Sequence, residues 1–97
     1  MPVVVLIRYR MKPEKADLAV REIAALVRIV TAAEPGCLGI SMLRNDTDER
    51  QLLLYERWTD QETYFGPHMQ EAHMQEFIRR APEFVEGPPE ISVWHEI

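Results

Sequence analysis

The order in which strand-like and helix-like hydrophobic periods alternate along these 97 residues constrains the fold more than any other feature. "VVVLIRYRM", Val3 to Met11, is rich in β-branched residues and ends at Lys12-Pro13, where proline cannot continue a ladder; it reads as a strand. From Glu14 to Ala33 the apolar positions Ala19, Ile23, Leu26, Val27, Val30 and Ala33 recur at helical spacing, until Pro35-Gly36 stops the pattern. "CLGISMLR" and "QLLLYERW" are two β-prone runs joined by the polar "NDTDER", which predicts a hairpin with a medium loop. A second helix opens on a capping box at Thr59-Asp60-Gln61-Glu62, is interrupted at Gly66-Pro67, and resumes through "HMQEAHMQEFIRR" to Pro82. After the loop "EFVEGPP", the alternating run "EISVWHEI" supplies the last strand.

The order β-α-β-β-α-β predicts the ferredoxin-like α+β class, an antiparallel four-stranded sheet with both helices on one face. No repeat of domain size and no linker interrupts it, so residues 1–97 are expected to form one domain, small enough for a partner chain to matter. If Val5, Ile7 and Tyr9 face the helices, Val4, Leu6, Arg8 and Arg10 face away, with Leu53, Tyr55, Arg57, Trp94 and Glu96. That outer face is too apolar for water and predicts a homodimer built sheet against sheet.

A formal net charge of −5 and scattered Lys and Arg leave no electrostatic footprint for nucleic acid or an anionic membrane. The single Cys37 rules out an internal disulfide and a thiolate cluster, and no apolar run is long enough for a signal or membrane segment. A cytoplasmic location is the expectation.

"HMQEAHMQEF" places His68 and His73 five residues apart. On a regular helix advancing about 100° per residue they diverge by roughly 140° and cannot share a metal, so no metal site is expected. The same projection puts Met69, His73 and Phe77 on an inward stripe and turns His68 outward with Gln75 and Arg79. His73 is then either a half-buried histidine satisfied by an acceptor or a pocket base. In the hairpin's second strand, Trp58 facing inward takes Leu52, Leu54 and Glu56 with it. A carboxylate among leucines must be paired, hydrogen-bonded or raised in pKa. Trp58 is a core anchor or a pocket wall, and Tyr64 lies by the Gly66-Pro67 break, where an irregular helix leaves room for a cavity. Met42 and His95 are expected on the helix-facing sides of their strands, lining the same space.

The run "EPGCLGISMLRNDTDERQLLLYERWTDQETYFGPHMQEAHMQEF", with the opening "RYRMKPEK", resembles the antibiotic biosynthesis monooxygenase family, whose pattern includes E-P-G-C, Y-E-x-W and a helix with H-x-x-x-x-H. The resemblance covers nearly the whole chain and implies a dimeric α+β barrel with a pocket between sheet and helices in each subunit. Similar chains include cofactor-free oxygenases of anthrones and quinols, haem-degrading enzymes and an isomerase of a phosphorylated sugar, so the fold does not decide the reaction. The haem-degrading branch carries Asn, Trp and His where this chain has Ile7, approximately Pro67, and His73, so haem is not expected. The anthrone-oxidising branch is similar at Trp58, Tyr64 and Gly87-Pro88-Pro89, but its pocket Asn falls on Leu54 and its helix Arg near Ile78 or Arg79.

Dioxygen is a triplet, and without flavin or metal the substrate itself must be made electron-rich by deprotonation, which requires a base in a water-poor apolar pocket. The expectation is therefore a cofactor-independent monooxygenase acting with dioxygen on a small quinol, anthrone or polyketide-like aromatic. Glu56 or His73 would be the base, Tyr64 or Trp58 the oxyanion donor, and Ile7, Leu54, Met42, Met69, Phe77 and His95 would line the pocket. The competing readings are a non-catalytic dimeric barrel binding a small apolar ligand, and an isomerase, whose phosphorylated substrate would demand a basic pocket.

Overall fold

A computed structural model describes residues 1–97. Strand β1 (Val3–Arg10) pairs antiparallel with β3 (Gln51–Trp58) on one side and β4 (Glu90–Trp94) on the other, while β2 (Cys37–Arg44) closes the far side of β3. The order β2-β3-β1-β4, with helix α1 (Ala16–Ala33) between β1 and β2, is the expected ferredoxin-like arrangement. Between β3 and β4 the chain forms a short helix α2 (Gln61–Thr63), a π-helical turn at Tyr64–His68, helix α3 (Ala72–Arg80) and a 3₁₀ turn at Ala81–Glu83.

The period of two in β1 and β3 determines the core. Val5 lies opposite Glu56, Ile7 opposite Leu54 and Tyr9 opposite Leu52, and all six side chains are buried on the helix side. Helix α1 covers them with Ala19, Ile23, Leu26 and Val30. Each such aliphatic side chain contributes about 1.5–3 kcal/mol on burial, enough to bind both elements to one register. On the opposite face Leu53, Tyr55, Arg57 and Trp94 sit in register with Val4, Leu6 and Arg8, as the alternation predicts, and Trp94 keeps 57% of its surface exposed.

Three boundaries differ from the sequence reading. Helix α1 begins at Ala16 rather than Glu14, because Glu14 occupies the left-handed region (φ 65°) and closes a turn before the helix can start. The cap of α2 is Asp60, whose carboxylate accepts the Thr63 N–H at 2.7 Å, and not a box built on Thr59. Strand β4 ends at Trp94, which leaves His95 exposed beyond the sheet; the alternation continues in sequence after the ladder has run out of partner.

Candidate functional site

Two adjoining spaces lie between sheet and helices. The larger, about 450 Å³, is walled by Ile7 and Tyr9 of β1, Tyr64 and Met69 of the irregular segment, Met74, Phe77 and Ile78 of α3, Val85, Gly87-Pro88-Pro89 and Ile91. No charged side chain lines it. The smaller, about 20 Å³, lies deeper and is lined by Leu54, Glu56, His68, Leu26, Val30 and Ile40. Ile7, Tyr9, Tyr64 and Met74 belong to both and form the partition.

The partition is where polar chemistry meets the apolar cleft. Burial pushes the phenols of Tyr9 and Tyr64 well above the ordinary tyrosine range, and the neighbouring Glu56 carboxyl adds to both shifts, so each remains a neutral hydroxyl. Neither hydroxyl donates to a side chain within the protein, and no fully buried polar side-chain atom lacks a partner, so both oxygens reach a cavity surface. Glu56 itself is only 4% exposed. Desolvation pushes its carboxyl up to about 7, the nearby Glu34 adds to the shift, and the Trp58 indole N–H, donating to Oε1 at 2.8 Å, opposes it.

His68 overturns the helical projection. His68, expected outward, is buried against the Trp58 ring at 4.5 Å between centroids, and its Nδ1 lies 2.9 Å from Oε1 of Glu34. His73 lines neither cavity; it is half-buried with Nε2 2.6 Å from Oε2 of the same Glu34, the satisfied histidine of the two alternatives and not the pocket base. The count of 100° per residue fails because the segment is not one helix. The π turn at Tyr64–His68 widens the spiral around Pro67, and Glu71, in extended conformation, restarts it at Ala72. His68 falls below the ordinary histidine range, because burial outweighs the attraction of Glu34. A neutral ring held against a carboxylate through Nδ1 carries its proton there and donates.

Glu34 was missed as a site residue, although it opens the E-P-G-C run. It follows the last turn of α1, Pro35 prevents the helix from continuing, and the next residue packs tightly. A β-carbon at Gly36 would stand 2.6 Å from Cγ2 of Thr63, and the Gly36 carbonyl accepts the Thr59 N–H at 2.9 Å. The turn is thereby fastened to the start of α2, which brings Glu34 under both histidines. Gly36→Ala is expected to loosen that attachment and lower the melting temperature by several degrees, measurable by circular dichroism.

Of the residues expected to form the site, Ile7, Tyr64, Met69 and Phe77 line the large cleft, and Leu54 and Glu56 line the small one. Trp58 is completely buried and its N–H is committed to Glu56, so it holds the carboxyl and not a ligand. Met42 packs into the core outside both spaces, and His95 is exposed beyond β4. Tyr9 was missed as a functional residue, though the inward register of Ile7 should have included it. No group of three His, Cys, Asp or Glu side chains is arranged to hold a metal ion, and no helix is long and apolar enough to cross a membrane.

The model of the antibiotic biosynthesis monooxygenase family matches residues 2–80. An uncharacterized protein of Synechocystis sp. is 27% identical over 96 residues; the match takes in 96% of this chain but only 62% of that protein's length. Among solved structures, Rv0793 from Mycobacterium tuberculosis superposes with a TM-score of 0.84 at 22% identity, covering 100% of this chain and 96% of that one. PA3566 from Pseudomonas aeruginosa gives 0.86 at 23% identity (99% and 94%), and a structure described as an antibiotic biosynthesis monooxygenase gives 0.83 at 20% (100% and 99%). At such identities the likeness establishes the fold.

Proposed function

The chain belongs to the antibiotic biosynthesis monooxygenase family, and on that premise we propose that it is a cofactor-independent monooxygenase of a small, uncharged aromatic such as a quinol or an anthrone. The observation that carries this reading is the pairing of a cleft of about 450 Å³ free of charged side chains with a carboxyl of pKa about 7 directly behind its tyrosine partition. An apolar cleft excludes water and favours a planar hydrocarbon, and a base titrating near neutrality removes a proton from a phenol or an activated CH₂. A phosphorylated sugar would meet no cation in this cleft, which counts against the isomerase reading.

For an anthrone the balance is simple: the CH₂ carbon and dioxygen become a ketone carbonyl and one water. Glu56, ionised, draws a proton from the substrate by way of the Tyr64 hydroxyl and one water in the small space, since Tyr64 lines both spaces and the small one has room for a single water. The tyrosine never becomes a free phenolate, in keeping with its elevated pKa. The substrate anion gives an electron to dioxygen, the radical pair combines to a peroxide anion that takes the proton back from Glu56, and loss of water, with the second hydrogen of the carbon, leaves the carbonyl. Tyr9 donates to the oxyanion that develops on the ring oxygen. Oxygen uptake with dithranol and a panel of hydroquinones tests the reading. Turnover in metal-free buffer is expected; tight binding without oxygen uptake would replace it with the apolar-ligand carrier.

The fold of this family is often dimeric, and the proposed enzyme is a homodimer joined through the outer sheet face. Leu43, Tyr55 and Trp94 are exposed there around the half-buried Leu53. Leu53 lies opposite Arg8 on β1, so an introduced glutamate would find a partner within its own chain. Leu53→Arg instead sets like charges side by side and is expected to convert the dimer to monomer in sedimentation velocity. A monomeric unsubstituted chain at micromolar concentration would defeat the proposal.

A further inference from the structure

Tyr64, on which the function proposed above depends, stands in the least regular part of the backbone. It opens the π turn that His68 closes, and Gly66 and Pro67 weaken that turn from within. Gly66 has open space where a β-carbon would be, and Pro67 has no N–H to give to the spiral. Three residues beyond His68, Glu71 is extended and the helix has to start again. Backbone hydrogen bonds alone hold such a segment weakly, so the aim of the Tyr64 side chain has to come from other side chains.

On the footing of that function, we propose that Glu34 is a positioning residue: through His68 it holds the Tyr64 hydroxyl between the two spaces. The contacts form one unbroken series. Oε1 and Oε2 of Glu34 lie 2.9 and 3.0 Å from Nδ1 of His68, so the two oxygens share the ring N–H. His73 donates from Nε2 to Oε2 at 2.6 Å and keeps the carboxylate from turning. The His68 ring in turn lies 5.1 Å from the Tyr64 ring, inclined by 31°, and 4.5 Å from the Trp58 ring. Trp58 meets Tyr64 edge to face at 5.5 Å, so the phenol is held from two sides.

The root of this series is fixed by a different element. Glu34 stands where α1 ends, its N–H donating to the Val30 carbonyl at 3.0 Å, and Pro35-Gly36 lead directly into β2. Glu34 lines neither space, so it touches no substrate, and His68 lines only the smaller one. What the carboxylate supplies is direction. Without it the His68 ring is free to turn about its own side-chain bonds, and the phenol loses one of its two walls. For a group that passes a proton, a displacement of about 1 Å can lower the rate by roughly 10²-fold.

Two measurements on Glu34→Ala test the inference. His68→Phe, which keeps a ring against Trp58 and Tyr64 but has no N–H for Glu34, serves if that variant does not fold. In the first, kcat for oxygen uptake with dithranol is expected to fall roughly tenfold or more, while the same substitution placed in Tyr64→Phe is expected to lower kcat no further. A residue that only holds the fold together does not depend on the Tyr64 hydroxyl. An equal loss in both backgrounds, or no loss in the parent, therefore overturns the positioning role. The second measurement needs no substrate. In protein labelled with fluorotyrosine, the ¹⁹F line of Tyr64, assigned through Tyr64→Phe, is expected to be single and narrow in the parent and to shift and broaden in Glu34→Ala. Tyr55, on the outer sheet face, is the unchanged reference. An unaltered Tyr64 line overturns the inference even if the protein consumes oxygen. An altered line in a protein that consumes none supports the positioning and rejects the oxygenase reading alone.

Discussion

Glu56→Gln is expected to remove the rise in turnover around pH 7 and, above pH 8, to make the protein more stable than its parent. Both effects have one cause. Among Leu52, Leu54 and Trp58 the charged carboxylate loses its hydration, so the folded protein holds the proton until about pH 7, whereas the group's ordinary value is 4.5. Between those pH values the native state binds more protons than the unfolded chain. The stabilisation is therefore complete below pH 4.5 and is lost as pH rises through about 7. The difference corresponds to about 3 kcal/mol, and an un-ionisable glutamine does not suffer it. Gln can still accept from the Trp58 N–H, so the packing is retained.

Thermal melts at pH 4 or below should then nearly superimpose for the two proteins, while at pH 9 the variant should melt roughly 10 °C higher. Its kcat should fall by about 10²–10⁴, the usual contribution of a positioned base. Equal melting temperatures at both pH values would mean that Glu56 ionises without cost and is not the shielded base proposed here.

The inward position of Glu56 is legible in the chain, because period-two alternation with three large apolar neighbours leaves its side chain no other face. The same local rule yields the apolar outer face, and the succession of strand and helix periods yields the ferredoxin-like class. Local periodicity fails where the backbone leaves regular geometry. A π turn around Pro67 and an extended Glu71 rotate His68 inward, opposite to the projection of a straight helix, and leave His73 half-buried on Glu34 outside both cavities. Their common partner Glu34 belongs to another element altogether, and no spacing rule within one helix reaches it. The cleft's outer wall escapes for a related reason. Val85, Gly87 and Pro88-Pro89 form a loop without a period, although the G-P-P run had been singled out by family resemblance. His95 shows the converse error, an alternation that outlasts its ladder.

Trp58→Phe is expected to shift the alkaline-rising limb of the rate profile to higher pH without changing KM. Trp58 touches neither cavity; its contribution is the indole N–H that donates to Oε1 of Glu56. A donor of this kind favours the charged carboxylate and so restrains a pKa that burial drives upward. Phenylalanine preserves much of the buried aromatic volume and removes only the restraint, so the carboxyl must titrate above its present value of about 7. At pH 7 a smaller fraction of the enzyme then carries an ionised base, and kcat falls; at pH 9 the base is ionised again and most of the loss is recovered. A residue that served only as packing would lower kcat equally at both pH values and in step with the melting temperature. The ratio of kcat at pH 9 to kcat at pH 7 separates the two roles. It should rise several-fold in Trp58→Phe, and an unchanged ratio would reduce Trp58 to a core anchor.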